Sequence, residues 1–304
     1  MANFKLATYQ SKKGPRAGII VGDSVFDAAE LTKQAPYENV LDILEDWPQA
    51  KETIRAAARK TGTGWTIAET HFHAPVLWPG AIYCAGANYR DHAAEMAKRM
   101  NRAPDANPKS SGGKPWHFLK TPRSVADPGE VIVATGYCKN LDWEIELAAV
   151  IGRPTKNVPV EDALSYVAGY TAANDLSARD LSRRPEAAPG SAFYFDWIGQ
   201  KCFDGACPLG PWIVPADDIL DPQNLSLKLW VNDVLKQNSN TGEMIFTIAE
   251  QIAHLSRGMT LYPGDIILTG TPAGVGAGRG EFLRPGDVVK IEIEAIGILS
   301  NRIA

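Results

Sequence analysis

The sequence predicts an α+β fold that is dominated by β-strands. Along its 304 residues, short runs rich in β-branched and aromatic residues are separated by glycine, proline, asparagine and aspartate, which is typical of strands and turns. Helical periodicity is confined to a few segments, and strands do not alternate with helices as they do in a parallel α/β fold. With 45% hydrophobic residues, the chain can bury a large core without disulfides or structural metals.

Residues 1–75 are predicted to form a small α+β domain. Two runs of alternating residues, 4–8 and 17–21, flank the turn-prone segment KKGPR and predict a β-hairpin, which a third strand at 24–26 extends. Between 40 and 60, apolar residues recur at spacings of three, four and seven, as on one face of an amphipathic helix. Pro48 is expected to divide this stretch into two helices.

Residues 76–304 are predicted to form a second, larger domain of the β-dominated α+β class. The proline-rich segment HFHAPVLWPG leads into its first strand, at 81–85. Further strands are predicted at 131–134, 144–151, 166–173, 212–214, 225–231, 265–269 and 288–293. Helices are predicted at 91–100, 160–163 and 243–256.

The composition argues against several classes of protein. The formal net charge of -4 leaves no excess of lysine and arginine to bind a polyanion, so no nucleic-acid partner is expected. No segment approaches the roughly 20 apolar residues of a membrane-spanning helix, and the N-terminal segment does not resemble a signal peptide. The four cysteines include no CxxC pair, which disfavours a zinc knuckle or a disulfide framework. We therefore expect a cytoplasmic protein with no membrane partner.

Three carboxylates indicate a metal site. In DWEIELAAVIG, strand alternation places Glu144 and Glu146 on one face, with their Cα atoms roughly 7 Å apart. On an exposed face these charges would simply be solvated, whereas on a buried face they would require a cation between them. Asp175 follows the apolar strand YVAGYTAAN and supplies a third oxygen ligand of the kind that magnesium prefers. The absence of an HExxH motif or a cysteine cluster disfavours zinc.

His92 and Glu95 are candidates for activating a water molecule. They lie three residues apart in GANYRDHAAEM, at the start of a predicted helix, so their side chains share one face. A neutral histidine oriented by a carboxylate is a common base near neutral pH, although a surface pair has the same spacing. Lys120 in HFLKTPRS and Lys201 in IGQKCFDGACPLGP are candidates for binding an anion, with a solvated lysine as the alternative in each case.

A glycine-rich loop, LTGTPAGVG at 268–276, follows a predicted strand. Its backbone N–H groups are candidates for a nest that binds an oxyanion or a carboxylate, and an ordinary turn is the alternative. It is not a phosphate loop, because no GK[ST] follows it. Two further segments, 101–115 and 181–194, are rich in proline, glycine and polar residues, so each is interpreted as either a mobile cover or a solvated connector.

Six phrases of the second domain together resemble the catalytic domain of the fumarylacetoacetate hydrolase family, over about residues 79–304. Each phrase alone is a weak signal, but six in the family's order are highly specific. In chain order they are GANYRDHAAEM, FLKTPRS, LDWEIELAAVIG, GYTAANDLSARD, QKCFDGACPLGPWIV and LYPGDIILTGTPAGVG.

The resemblance implies a twisted mixed β-roll, usually a homodimer, with one Mg²⁺, or sometimes Mn²⁺ or Ca²⁺, bound by Glu144, Glu146 and Asp175. The positions that match the family's catalytic residues are His92, Glu95, Lys120 and Lys201. The positions that match its substrate contacts are Arg179, Gly270 and Thr271. The sequence departs from the family in the long segment LSRRPEAAPGSAFYFDWIG and in Cys202, which stands where a serine is frequent. These departures leave the identity of the substrate open.

The leading functional hypothesis is hydrolysis of a C–C bond in an acylpyruvate-type 2,4-dioxo acid, such as the maleylpyruvate- or fumarylpyruvate-like products of aromatic ring cleavage. With the 2-oxo acid chelated by the metal, the His92/Glu95 pair would deprotonate the water that attacks the distal carbonyl, and the lysines would stabilise the resulting enolate. Alternatives that use the same chelation are decarboxylation of an oxaloacetate-like acid, hydration of a 2-oxo-4-enoate, and keto-enol tautomerisation. A non-catalytic protein that binds a 2-oxo acid is a third hypothesis.

Overall fold

The computed structural model describes residues 3–99, 101, 103, 108–133 and 136–304. Met100 and Ala134, the predicted ends of one helix and one strand, lie outside the described residues. In the part of the chain that is described, strands predominate over helices, so the predicted β-dominated α+β class is confirmed. No helix in that part is long and apolar enough to cross a membrane.

The described part of the chain contains seven α-helices, all of them short. They are α1 Ala28–Thr32, α2 Val40–Glu45, α3 Trp47–Ala58, α4 Arg90–Arg99, α5 Trp197–Lys201, α6 Ile248–Gly258 and α7 Gly276–Arg279. The expected break between α2 and α3 is present, and Pro48 lies in the first turn of α3, where a missing N–H costs nothing. The predicted helix at 243–256 begins later than expected, because the Thr247 side chain caps α6 in a capping box with Glu250.

Nineteen strands are described. They are β1 Lys5–Ser11, β2 Gly14–Val21, β3 Ser24–Asp27, β4 Trp65–Thr66, β5 Phe72–His73, β6 Ile82–Ala85, β7 His117–Lys120, β8 Val125–Ala126, β9 Val131–Ile132, β10 Leu141–Asp142, β11 Ile145–Ile151, β12 Val167–Asn174, β13 Ser177–Ala178, β14 Cys207–Pro215, β15 Ser226–Val231, β16 Val234–Asn240, β17 Ile266–Leu268, β18 Val288–Ile293 and β19 Gly297–Ile303. Single-turn and longer 3₁₀ segments connect several of them, and the predicted helix at 160–163 is one of these, Val160–Tyr166.

A twelve-stranded mixed sheet forms the centre of the molecule, with the path β4-β3-β2-β1-β14-β12-β11-β17-β6-β7 and with β5 and β8 attached beside it. The predicted hairpin of β1 and β2 is confirmed. Because β1 pairs with β14, with Leu6 opposite Ile213, the N-terminal strands continue the sheet of the larger part of the chain. The division into domains 1–75 and 76–304 stays a prediction.

A five-stranded sheet, β16-β15-β18-β19-β9, and α6 cover one face of the central sheet, and α2 and α3 cover the other. Strand β11 lies between these layers, and every one of its residues is buried. Its odd-numbered residues, such as Leu147, pack in the core with β15 and α6, whereas Ala148 and Val150 pack with α2 and α3. Both faces of β11 are therefore shielded from water at the point where it carries Glu146.

Two strands of the five-stranded sheet were not predicted. Strand β16 has the sequence VLKQNSN, whose polar residues have low β-propensity. These polar residues are tolerated because β16 is an edge strand of the sheet. Strand β19, GILSNRI, mixes glycine and polar residues and becomes a strand through its full-length pairing with β18. Strand β14 extends beyond the predicted 212–214 because Cys207 also pairs in parallel with β8.

Candidate active site

The three predicted metal-binding carboxylates lie together in the structure. Trp143 and Ile145 lie in the hydrophobic core, whereas Glu144, directly before β11, and Glu146, in β11, alternate with them along the extended chain. Strand β12 pairs antiparallel with β11, and the N–H of Asp175, directly after β12, donates to the carbonyl of Glu144 at 2.9 Å. Candidate ligand oxygens of the three carboxylates lie within 4.8 Å of one another, and all three residues are buried.

The two predicted lysines both contact this acidic cluster. The Nζ of Lys201 donates to Oε2 of Glu144 at 2.8 Å and to Oδ2 of Asp175 at 2.6 Å. The Nζ of Lys120 lies 2.7 Å from Oδ1 of Asp175 and donates to the carbonyls of Leu176 and Lys201. Burial alone would lower the pKa of Lys201, but the charges of Asp175 and Glu144 outweigh it and raise that pKa. Lys201 is therefore an ammonium ion at neutral pH.

Arg179, predicted to contact the substrate, is held by two carboxylates of the chain. Its Nε donates to Oδ2 of Asp142 at 2.8 Å, and its Nη2 donates to Oε1 of Glu144. The guanidinium therefore orients Glu144, and a role in substrate binding stays a prediction. Burial would raise the pKa of Glu144, but the charges of Arg179 and Lys201 outweigh it and hold that pKa below its usual range.

Asp142 is a site residue that the sequence reasoning missed. It is completely buried, pairs with Arg179, and accepts the N–H groups of Gly276 and Ala277 at the start of α7 at 2.6 and 2.9 Å. Its position two residues before Glu144 could have indicated it, because residues 142, 144 and 146 would share a face in one extended segment.

The donor set fits a hard divalent cation. Oδ1 of Asp175 is buried and makes no hydrogen bond of acceptable angle within the described part of the chain, although Lys120 lies near it. Burial, together with the charges of Asp175 and Glu144, raises the pKa of Glu146 well above its usual range. The positively charged side chains of the protein therefore do not by themselves stabilise the ionised form of Glu146. Three clustered carboxylates are the oxygen ligands that Mg²⁺, Mn²⁺ and Ca²⁺ bind.

The predicted His92/Glu95 pair lies on α4 beside this cluster. Nδ1 of His92 is buried, lies 3.6 Å from Oε2 of Glu95, and makes no hydrogen bond with any described residue. The Glu95 carboxylate is held in place by the N–H of Gly274, at 3.0 and 3.1 Å from its two oxygens. Burial would raise the pKa of Glu95, but His92 and the Gly274 amide outweigh it and lower that pKa. Glu95 is thus a fixed carboxylate facing the imidazole.

From its sequence, the glycine-rich loop was considered as a nest that binds an oxyanion or a carboxylate. Its N–H groups donate to carboxylates of the chain, with Gly270 donating to Oε2 of Glu146 at 2.6 Å and Gly274 donating to Glu95. Glycine is required at 270, because its φ is +100° and a Cβ there would lie 2.8 Å from Cβ of Asn88. The loop therefore positions the acidic side chains, and substrate contact by Gly270 stays a prediction.

Thr271 is positioned by a second residue that the sequence reasoning missed. Nε2 of the buried Gln237, on β16, donates to Oγ1 of Thr271 at 2.9 Å and to the carbonyl of Pro272 at 2.8 Å. Oε1 of Gln237 accepts the N–H of Ile145 at 3.0 Å, which ties β11 to the loop. Because the Thr271 hydroxyl accepts this bond, its own proton can be donated to a ligand, as its predicted role requires.

A cleft of about 550 Å³ lies beside the acidic cluster and includes Arg179, which donates to Glu144. Its other lining residues are Met96, Arg99, Asn140, Asp180, Ser182, Arg183, Phe195, Trp197, Gln200, Ala277 and Phe282. Residues 182–183 of the predicted cover segment 181–194 therefore border the cleft. In the other segment, 101–115, Lys109 pairs with Glu250 of α6 at 2.7 Å. Movement of either segment stays a prediction.

Comparison with known proteins agrees with this arrangement. Residues 81–304 match the family model described as the C-terminal domain of fumarylacetoacetate hydrolase. The chain is 36% identical to the mitochondrial oxaloacetate tautomerase Fahd2a of Rattus norvegicus, over 99% of this chain and 92% of that protein. It is 38% identical to the human mitochondrial oxaloacetate tautomerase FAHD2B, over 84% of this chain and 77% of that protein.

Two solved structures of bacterial enzymes share the fold. Maleylpyruvate hydrolase from Sphingobium sp. SYK-6, in complex with manganese(II) and pyruvate, superposes with a TM-score of 0.75 and 31% identity, covering 99% of this chain and 98% of that one. The 5-carboxymethyl-2-hydroxymuconate delta-isomerase from Mycobacterium smegmatis gives a TM-score of 0.72 and 32% identity, covering 99% of both chains. The six sequence phrases, the mixed-sheet architecture and these matches together show that the chain belongs to the fumarylacetoacetate hydrolase family.

Proposed function

We propose that the protein is a magnesium-dependent hydrolase that cleaves the C–C bond of an acylpyruvate-type 2,4-dioxo acid. The observation that carries this proposal is the His92/Glu95 pair, a histidine facing a fixed carboxylate immediately beside a buried acidic cluster. A general base next to a site for an anionic chelating ligand is the combination that attack by water on a nearby carbonyl requires.

The acidic cluster supports binding of a 2-oxo acid. Four carboxylates face three cationic side chains, Lys120, Lys201 and Arg179, so an added dication makes the site net positive and favourable for an anion. Held by Glu144, Glu146 and Asp175, Mg²⁺ would supply Lewis-acid polarisation of the 2-oxo carboxylate group.

The residues around the cluster account for the remaining chemistry. With Nδ1 directed at Glu95, Nε2 of His92 takes a proton from water, and the water oxygen forms a bond to the distal carbonyl carbon. The C–C bond then breaks, and its electron pair is retained by the pyruvate fragment as an enolate. The ammonium groups of Lys120 and Lys201 stabilise this negative charge, and the proton held by His92 returns to the enolate carbon to give pyruvate.

The test is a comparison of His92→Asn with His254→Asn on a panel of acylpyruvates in the presence of Mg²⁺. Loss of a general base is expected to lower kcat/KM about 10²- to 10⁴-fold, while pyruvate and a second acid remain the products of the wild-type enzyme. His254 lies on α6 outside the site and serves as the control. Wild-type kcat/KM in His92→Asn would contradict the proposal.

A second candidate, tautomerisation of oxaloacetate, is favoured by the names of the curated relatives. The same histidine would then move a proton between carbon and oxygen, and no bond between carbons would break. Loss of the enol absorbance of oxaloacetate without formation of pyruvate, together with no turnover of acylpyruvates, would select this candidate.

The predicted homodimer and cytoplasmic location are also retained as proposals. Large apolar side chains are exposed along residues 193–198, including Phe193, Phe195 and Ile198, and burial of this surface by a second copy would be favourable. Light scattering that gives a monomer mass would contradict the dimer, and recovery of the protein in a membrane or organelle fraction would contradict the location.

A further inference from the structure

The ammonium group of Lys201 lies over the face of an aromatic ring. Its Nζ is 4.9 Å from the centre of the Phe118 ring, within the roughly 6 Å over which a phenyl face attracts a cation. The Lys201 side chain is buried, so little water competes with this contact. Phe118 is itself partly buried and packs against the hydrophobic core that contains Ile82 and Cys84 of β6.

Two elements fix the position of this ring. Phe118 and Lys120 alternate with the exposed Leu119 along β7, so the ring and the Lys120 side chain point to the same side of the strand. On α5, Trp197 lies four residues before Lys201, and its indole stacks on the Phe118 ring with the centroids 5.5 Å apart and the planes at 19°. The ring therefore contacts both the first and the last residue of α5.

We propose that Phe118 is a positioning residue for Lys201, whose ring holds the ammonium group in the site without neutralising its charge. The consequence for catalysis rests on the proposed function, in which Lys201 stabilises the negative charge of the enolate. The contact between the ring and the ammonium group does not depend on which reaction the site performs.

The need for such a residue follows from the charges of the site. Lys201 donates to Glu144 and Asp175, which are also candidate metal ligands. A dication bound there would compete for these two carboxylates and would repel the ammonium group. A further carboxylate beside Lys201 would hold the lysine but would also cancel the charge that attracts an anionic ligand. An aromatic face attracts a cation and carries no net charge of its own.

The test replaces Phe118 by phenylalanine analogues that carry one, two or three fluorine atoms on the ring. Fluorine withdraws electron density from the ring face and leaves the size of the ring almost unchanged, so each atom weakens the attraction for a cation. In a chelator, we expect the unfolding temperature to fall stepwise, by about 1–4 °C at three fluorines. The same series in Lys201→Met should show no such fall, because stacking on Trp197 does not require the lysine.

The matched control is the same fluorine series at Phe72. This ring is partly buried, as Phe118 is, and it packs edge-on against Trp212 with the centroids 6.0 Å apart, a contact that involves no ammonium group. Fluorination at Phe72 should therefore leave the unfolding temperature unchanged. Equal falls at Phe118 and Phe72, a fall at Phe118 that persists in Lys201→Met, or no fall at Phe118 when Lys201 is present would overturn the inference.

A kinetic measurement tests the consequence for catalysis. For the acylpyruvate that the wild-type enzyme cleaves most efficiently, kcat/KM at saturating Mg²⁺ is expected to fall stepwise along the Phe118 series, by about 2- to 30-fold at three fluorines. Unchanged kcat/KM along the series would overturn the positioning role, even if stability fell.

A binding measurement separates this inference from the proposed hydrolysis. If the wild-type protein cleaves no acylpyruvate, oxalate, a planar dianion that resembles the enolate of pyruvate, is titrated calorimetrically into the Mn²⁺-loaded protein. A stepwise loss of oxalate affinity along the Phe118 series would support the positioning role although the hydrolase proposal had failed. An oxalate affinity that does not change along the series would overturn it.

Discussion

Replacement of Lys201 by methionine is expected to destabilise the metal-free protein and to tighten binding of a divalent cation. The Lys201 ammonium lies 2.8 Å from Glu144 and 2.6 Å from Asp175, and the side chain is 3% exposed. At an effective dielectric constant of about 20, each contact corresponds to about 6 kcal/mol of Coulomb attraction. Because desolvation of the lysine offsets most of this, the expected net loss is about 3–5 kcal/mol of unfolding free energy.

The assay is thermal unfolding in a chelator and with excess Mn²⁺. For a chain of this length, a loss of 1 kcal/mol in unfolding free energy lowers the unfolding temperature by about 2 °C, so the variant should unfold roughly 6–10 °C below wild type in the chelator. Because the remaining carboxylates have lost a competing cation, we expect Mn²⁺ to bind at least about tenfold more tightly and to recover most of the stability. An unchanged unfolding temperature in the chelator, or weaker Mn²⁺ binding, would refute this reasoning.

The matched control is Lys236→Met. Lys236 pairs with Glu281, whose side chain is 48% exposed, so water already screens the interaction. We expect a loss below about 1 kcal/mol and no change in Mn²⁺ affinity.

Three further predictions concern His117, Gly270 and Gln237. Burial lowers the pKa of His117 to about 4, so between that pH and the usual histidine pKa the unfolded chain binds more protons than the folded chain. The free energy of unfolding should therefore fall as the pH drops through this window, and it should fall less in His117→Gln. Thermal unfolding measured across this pH range checks the prediction. Gly270→Ala should weaken Mn²⁺ binding in calorimetry, since its Cβ would press on Asn88 and the residue already has a φ of +100°; wild-type affinity would contradict this. Gln237→Leu should cost about 1–3 kcal/mol in denaturant unfolding and also lower kcat/KM, because the Thr271 hydroxyl loses its donor; an effect on stability alone would argue against a role for Thr271.

The sequence predicted the features of the site that depend on local periodicity. Alternation along one strand placed Glu144 and Glu146 on the same face, and the spacing along one helix placed His92 beside Glu95. Both arrangements are present in the structure.

The remaining features depend on contacts between distant segments, which local patterns do not encode. Lys201 reaches Asp175 across 26 residues, and Gly270 reaches Glu146 across 124 residues. The sequence of the glycine-rich loop was compatible with a nest for a ligand, and only its packing against β11 and α4 showed that its amides bind Glu146 and Glu95 of the chain. Strand β16 is likewise specified by pairing with β15 and not by its own polar sequence.

Anomalous diffraction from crystals soaked with Mn²⁺ tests the central claim most directly, namely that Glu144, Glu146 and Asp175 hold a divalent cation. We predict one strong anomalous peak at about 2.0–2.6 Å from an oxygen of each carboxylate, absent in crystals of Glu146→Gln. A peak elsewhere on the protein, with no anomalous density between these three side chains, would contradict the account.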